Sequence, residues 1–279
     1  MKISAAERET GAMNEDNLRV AARTLKECGY LVIEDVLPRD WINHTRGICN
    51  DTLRRYMPTL NPEKRRYYEQ VHTAMFPPIC SPFMDAIVIE NPFVMQVTEA
   101  VIGPDFFCTF YNTNTQWPGS GIQHVHRDFD HLFPGFPVAL PITQVIVNIP
   151  LTDFSLENGA TEVWPGSHLI VDEIPTDNEA LEERAKSLPS VRTTVSAGSI
   201  ILRDMRTWHR GMPNKTDEIR TMLAIIYDRP FLNAYISATE LIEIPRATWD
   251  QMSDRAKRIF RFNPVVDKVP SLDGKKPPY

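Results

Sequence analysis

No stretch of this 279-residue sequence stays apolar long enough to cross a bilayer, so no membrane-spanning helix is expected. The opening residues, MKISAAERETGAMNED, lack the hydrophobic segment of a secretory leader, which sets the expectation of a cytoplasmic protein. Cysteine is scarce. Cys28, Cys49, Cys80 and Cys108 stand far apart with no CxxC spacing. They can pair in principle, but without a leader they read as small, reduced core residues. Positive charge is also in deficit, with 30 Lys and Arg against 36 Asp and Glu, a net charge of −6. That argues against a nucleic-acid surface, which needs Lys and Arg gathered on one face. There is no internal repeat and no low-complexity linker. With 42% hydrophobic residues, the chain can bury a large core as one domain or one domain with elaborations.

The first dozen residues show no pattern and are expected to form a mobile tail. From Asn17, Leu18, Ala21, Ala22, Leu25 and Cys28 recur at helical spacing until Gly29. YLVIEDVL then reads as a strand, and Pro38 opens a second helix carrying Ile42, Cys49 and Leu53. A third helix is capped by Asn91, has Pro92 in its first turn and stops at Gly103-Pro104. From Phe106 the chain turns to short β-rich segments: FFCTFYNT, ITQVIVNIPL, TEVW, RTTVS, SIILRD and RTMLAIIYD. Their spacing points to a sandwich or jelly roll rather than alternating βαβ units. DNEALEERAKSL interrupts them as a polar helix capped by Asp177. After Tyr227 one more helix is expected, with Trp249, Met252, Ala256, Ile259 and Phe260 on a shared face. The expected organisation is a single domain: a mostly helical part over 1–105, a β core over 106–230, and a helix and tail over 231–279.

Against this ordinary background HVHRDFDH, residues 124–131, holds three histidines and two aspartates in eight positions. His126 and Asp128 project to the same side of an extended chain, so they can grip one ion from neighbouring positions. A third ligand has to come from afar, and His209 in RTWHRGMPN is the candidate. Two imidazoles and a carboxylate on one face of an octahedron suit non-haem iron(II) chemistry. An HxD pair alone is a common chance occurrence, and a histidine after a strand is usually packed or solvated. Arg220 adds weight. It shares a strand face with Met222, Ala224 and Ile226, so it is either solvated or, if that face points inward, in need of an anion such as a dicarboxylate. NGATEVWPGSH, residues 158–168, is explained largely by its Asn-Gly and Pro-Gly-Ser turns.

Taken in order, QHVHRD, NGATEVWPGSH, SAGSIILRD, and WHRGMPN followed by Arg220 resemble the phytanoyl-CoA dioxygenase family of Fe(II)- and 2-oxoglutarate-dependent oxygenases. GYLVIEDVL resembles that family's first strand, so the likeness runs from about Gly29 to Pro230. It implies a mainly β (α+β) fold, a double-stranded β-helix (jelly roll) core with packed N-terminal and flanking helices. It implies Fe(II) held by His126, Asp128 and His209, and a 2-oxoglutarate cosubstrate whose remote carboxylate pairs with Arg220. Gln123 and Thr161 match positions that hydrogen-bond the cosubstrate. Strict alternation would put Gln123 opposite His126, so the backbone has to leave the strand there. A further polar contact is expected from RRYYEQVH, residues 65–72.

The reaction implied consumes O2 and 2-oxoglutarate and oxidises an unactivated carbon, by default to an alcohol. Desaturation, epoxidation, ring expansion and endoperoxide formation share the same iron site. The carboxylate of Asp128 disfavours halogenation, because halogenating relatives carry a small residue there. FDHLFPGFPVALP, residues 129–141, reads either as an ordinary surface loop or as an aromatic lid, and a lid would favour a carbon-rich small molecule. KKPPY is unlike a peroxisomal SKL-type address, which weakens an acyl-CoA assignment. The expected role is thus natural-product tailoring of a small, largely hydrophobic substrate, with no nucleic-acid or membrane partner and a homodimer left open. Two alternatives compete: a cupin-type iron dioxygenase that uses His124, His126, Asp130 and His209 without 2-oxoglutarate, and a non-catalytic jelly-roll binding protein.

Overall fold

A computed structural model describes residues 1–133, 135–171, 178–235 and 241–267. Strands β1 (Tyr30–Ile33), β2 (Thr73–Met75), β3 (Phe107–Gln116), β4 (Gln144–Pro150), β5 (Glu162–Val163), β6 (Val191–Arg192), β7 (Ile200–Asp204), β8 (His209–Arg210) and β9 (Arg220–Asp228) fall into two sheets. One has six strands in the order β1-β7-β4-β9-β3-β2, and the other has three in the order β6-β5-β8. Pairing within both is antiparallel. This is the expected mainly β (α+β) jelly roll, with its two sheets hydrogen-bonded separately. Both edges of the larger sheet, β1 and β2, come from the helical first third of the chain. β2 lies in a stretch with no strand signal.

Side-chain alternation gives the larger sheet two unlike faces. Val145, Val147 and Ile149 of β4, Leu223, Ile225 and Tyr227 of β9, and Ile200 and Leu202 of β7 enter the main hydrophobic core. There they meet Ala21, Ala22 and Leu25 of the helix Glu15–Cys28 and Val94, Val97 and Val101 of the helix Pro92–Ile102. The intervening residues Ile146, Asn148, Ile201, Arg203, Arg220, Met222, Ala224 and Ile226 face a cavity instead. Val163 of β5 and His209 of β8 line the same cavity, so it lies between the sheets. The helix Pro92–Ile102 starts as the capping rule expects: the Asn91 side chain accepts from the backbone N–H groups of Phe93 and Val94.

Two local expectations are corrected. The N-terminal residues do not form a mobile tail. Ser4 caps the helix Ala5–Thr10 in a reciprocal box with Glu7, and Glu7 Oε1 also accepts from the backbone N–H of Asn14. Hydrogen bonds from Ser4, then Asn14 and Asn17, hold the Glu7 carboxyl down to about 2. Ile3 is buried, and Lys2 bridges Glu34 beyond the end of β1. At the other end, the single expected helix is two, Arg246–Gln251 and Asp254–Ile259, because Ser253 caps the second with a 3.0 Å bond from Ala256 N–H. The shared face survives the break: Met252, Ala256, Ile259 and Phe260 are all buried in the main core. The polar helix is present as Asn178–Ala185, while Asp177, its expected cap, and the KKPPY terminus lie outside the described residues.

Leu25 is fully buried where the helix Glu15–Cys28 covers the sheet. Leu25→Ala is therefore expected to lower unfolding stability by about 2–5 kcal/mol. Urea unfolding monitored by circular dichroism measures this, and an unchanged midpoint would contradict the packing described.

Candidate metal centre

The site is built where the chain around His126 runs beside β8. His126 N–H donates to His209 C=O at 3.0 Å, and His209 N–H returns the bond to His126 C=O at 2.9 Å. That exchange brings the two imidazole rings to 4.2 Å between centroids. Asp128 is fixed by its own backbone, whose N–H donates to Met205 C=O at 2.9 Å. Its Oδ1 stands 3.8 Å from His126 Nε2 and 3.5 Å from His209 Nε2. One ligand atom from each of the three residues falls within 4.8 Å of the others. Among the described residues, no other group of three His, Cys, Asp or Glu side chains converges in this way.

The chemistry of these donors fits a divalent ion. His126 Nδ1 lies 2.9 Å from the His124 carbonyl, and His209 Nδ1 lies 3.0 Å from the Thr207 carbonyl. A carbonyl only accepts, so each Nδ1 carries a proton and Nε2 is the ring nitrogen left facing Asp128. Burial first, and the Arg203 cation second, push His209 well below the ordinary histidine range. Burial acts to raise Asp128, but the charges of His209 when protonated, of Arg203 and of His126 when protonated outweigh it and hold its carboxyl well below the usual range. With His209 neutral, the standing cation is Arg203, whose Nη2 lies 2.5 Å from Asp128 Oδ2. Two imidazole Nε2 atoms and one carboxylate that converge on a point can hold ferrous iron and leave coordination positions open.

Arg220 lies in the same cavity, whose volume is about 340 Å³. It is only 2% exposed, its guanidinium stands 4.3 Å over the Phe154 ring, and its Nε and Nη1 have no hydrogen-bond partner. The possibility that this strand face meets solvent is thereby excluded. Burial first and Arg192 second depress its pKa to about 9. Thr161, Thr193, Asn112 and Gln116 line the cavity too, and Asn112 Nδ2 and Gln116 Oε1 are likewise buried without partners. The Asn-Gly turn shapes this end. Gly159 has φ +82°, and a Cβ there would lie 2.3 Å from Met212 C=O and 2.5 Å from Gln116 Oε1. A buried cation beside orphaned donors and acceptors suits a carboxylate-bearing ligand.

Gln123 lines the cavity, and residues 121–125 are not part of a strand, the departure its position requires. Both ends of its amide are engaged: Oε1 accepts from Gly211 N–H at 2.6 Å, and Nε2 donates to His72 Nδ1 at 2.7 Å. His72, at the end of RRYYEQVH, is therefore the polar residue that the N-terminal region brings to the cavity. Thr161 belongs to the cavity lining, while its carbonyl accepts from Thr193 N–H and Oγ1.

The cupin-type set does not assemble. His124 is exposed, Asp130 pairs with Arg127 at 2.5 Å, and His131 Nε2 binds the Ile170 carbonyl at 2.9 Å. In the 129–141 segment Phe129 packs against the cavity-wall residues Ile146, Met205, Ala224 and Ile226. Phe133, Phe136 and Val138 are exposed. A larger hollow of about 1060 Å³, walled by Tyr56, Phe76, Ile79, Met84, Leu241 and Met252, contains none of the three donors, so its size does not make it the reactive site. Arg203, Asn112, Gln116 and Thr193 were not singled out by the sequence. Arg203 had a usable signal, because it is a charged residue on the same strand face as Ile201, the kind of argument that marks Arg220.

The profile of the phytanoyl-CoA dioxygenase (PhyH) family matches residues 25–222. Dioxygenase andF of Emericella variicolor is 24% identical over 249 residues, covering 86% of this chain and 83% of that one. The iron/alpha-ketoglutarate-dependent dioxygenase ausO of Aspergillus calidoustus is 27% identical over 196 residues, 66% of this chain and 62% of the other. Among solved structures, the non-heme alpha-ketoglutarate-dependent carbocyclase SnoK from nogalamycin biosynthesis superposes with a TM-score of 0.59 at 21% identity. That match covers 77% of this chain and 84% of SnoK, and it shows the same fold.

His72 yields a pH prediction. Burial first, then the nearby His126 and Arg220, depress it from 6.5 to about 4. Between those values the unfolded chain takes up a proton that the folded one refuses, so stability falls as pH drops from about 6.5 toward 4. His131, His168 and His209 are depressed too and act in the same direction. His72→Asn should therefore flatten part of that slope, as read from urea midpoints at pH 7 and pH 5. An equal loss in variant and wild type would contradict the assignment.

Proposed function

The chain belongs to the phytanoyl-CoA dioxygenase family and is an iron- and 2-oxoglutarate-dependent dioxygenase, and from that premise we propose how its residues divide the work. His126, Asp128 and His209 hold the iron. Arg220 receives the remote carboxylate of 2-oxoglutarate, with Thr161 and Gln123 shaping the cavity around it. The observation that carries this reading is a buried guanidinium, two of its nitrogens unpaired, in the same cavity as the converging donors.

Bound iron, with 2-oxoglutarate and O2, supplies the oxidising power to attack an unactivated C–H bond. The protein's own groups do the rest. The Thr207 and His124 carbonyls fix both imidazoles in the tautomer that presents Nε2. Arg220 offers a planar fork that a carboxylate matches with two parallel bonds. Phe110, Ile146, Ile201, Met205 and Ile226 form a wall that excludes water and holds a carbon skeleton. This wall supports a small, largely hydrophobic organic substrate, hydroxylated in a natural-product tailoring step within one domain of 279 residues. Among the described residues no helix is long and apolar enough to cross a membrane.

Under anaerobic conditions, iron(II) followed by 2-oxoglutarate should give a visible charge-transfer band. His126→Ala should abolish metal binding. Arg220→Ala should keep the metal and weaken 2-oxoglutarate by on the order of 2–5 kcal/mol, the usual range for breaking a buried charge pair. Wild-type iron affinity in the first variant, or wild-type 2-oxoglutarate affinity in the second, would refute the role concerned.

A further inference from the structure

Arg203 is the second buried arginine on the cavity wall, and unlike Arg220 its guanidinium is already committed. It is 4% exposed and sits on β7, hydrogen-bonded between β1 and β4. Its Nη2 donates to Asp128 Oδ2 at 2.5 Å, and its Nη1 donates to the Thr207 carbonyl at 3.4 Å. That carbonyl is the one that accepts from His209 Nδ1 at 3.0 Å. One planar group, anchored in the middle of a sheet, is thus tied to the carboxylate and to the backbone oxygen that orients a histidine.

The two oxygens of Asp128 consequently differ. Oδ1 faces both imidazole Nε2 atoms, at 3.8 and 3.5 Å, while Oδ2 carries the charge-assisted bond to Arg203. A carboxylate that is free to rotate can grip a divalent ion through one oxygen or both. To use both, Asp128 would have to bring the cation onto the oxygen that Arg203 already engages through a part-buried charge-assisted bond, and Arg203 has no other carboxylate partner among the contacts described.

We infer that Arg203 is a positioning residue that confines Asp128 to single-oxygen coordination and steadies His209, keeping metal positions open for a chelating cosubstrate. This rests on the reading of His126, Asp128 and His209 as the metal site. A merely structural ion pair would affect stability and leave the metal's spectrum and cosubstrate affinity alone.

Cobalt(II), whose visible d–d absorption reports coordination number, is the probe. It is titrated anaerobically into metal-free wild type, Arg203→Met and Arg203→Lys, each first checked for native circular dichroism, and 2-oxoglutarate is then added. Arg203→Met should bind cobalt roughly 10–100-fold more weakly, the usual effect of removing a group that orients a ligand. Its d–d spectrum should differ before cosubstrate is added, and more 2-oxoglutarate should be needed for saturation. Arg203→Lys, which keeps a cation and a donor, should recover part of each change. If Arg203→Met does not fold, Arg203→Gln takes its place with the same expected losses. Wild-type affinities and spectrum in the methionine or glutamine variant overturn the inference. Failure of the wild type to bind cobalt overturns the metal-site reading beneath it, and the two results are distinguishable.

Discussion

Along β9, residues 223, 225 and 227 meet hydrocarbon while 220, 222, 224 and 226 meet the cavity, and the site depends on that constraint. Leu223, Ile225 and Tyr227 lock the strand against the helices, so Arg220, Met222, Ala224 and Ile226 have to point the other way. A slip of one residue would drive the guanidinium into the main core and turn the leucine and isoleucine into the cavity. The hydrophobic effect acting on one face therefore enforces an otherwise unfavourable placement on the other. β4 and β7 extend the same division across the sheet.

The cavity holds two buried arginines under different terms. Arg203 has its counterion within the protein, and Asp128 in turn is kept ionised by it. Arg220 has an aromatic face beneath it and two unpaired nitrogens. Replacing a buried ion pair by hydrocarbon is often neutral or stabilising, so retaining two buried cations beside one carboxylate is poorly explained by stability. It is well explained by ligands: a divalent ion for the donors around Asp128 and a carboxylate for Arg220. A pocket that carries uncompensated charge when empty is arranged for what it binds.

Much of this was legible in the residues. The helix Pro92–Ile102 announces itself by Asn91, Pro92 and Gly103, and alternation groups Arg220, Met222, Ala224 and Ile226 on one face of β9 without saying whether that face turns inward. The HxD pair and His209 could be named together because the ordered motifs agree. Other features required the fold. Gln123 finds His72 across 51 residues, a pairing that no local pattern encodes. β2 is three residues long and becomes a strand only because β3 offers it an edge. Some signals were present but outweighed. Ser4 and Glu7 have the spacing of a capping box, hidden in a polar segment that looked like a tail. Ser253 is a helix cap inside an apolar periodicity that continues straight through it, so one helix was expected where two exist. Arg203 stood inside a strand, where its inward face carried the same meaning as that of Arg220.

The most direct measurement is an anaerobic crystal structure of the protein soaked with iron(II) and 2-oxoglutarate, with iron located by anomalous scattering. The account predicts one iron peak among His126 Nε2, His209 Nε2 and Asp128 Oδ1, with the far carboxylate of 2-oxoglutarate on Arg220. Iron bound elsewhere, or a cosubstrate that leaves Arg220 untouched, would contradict it.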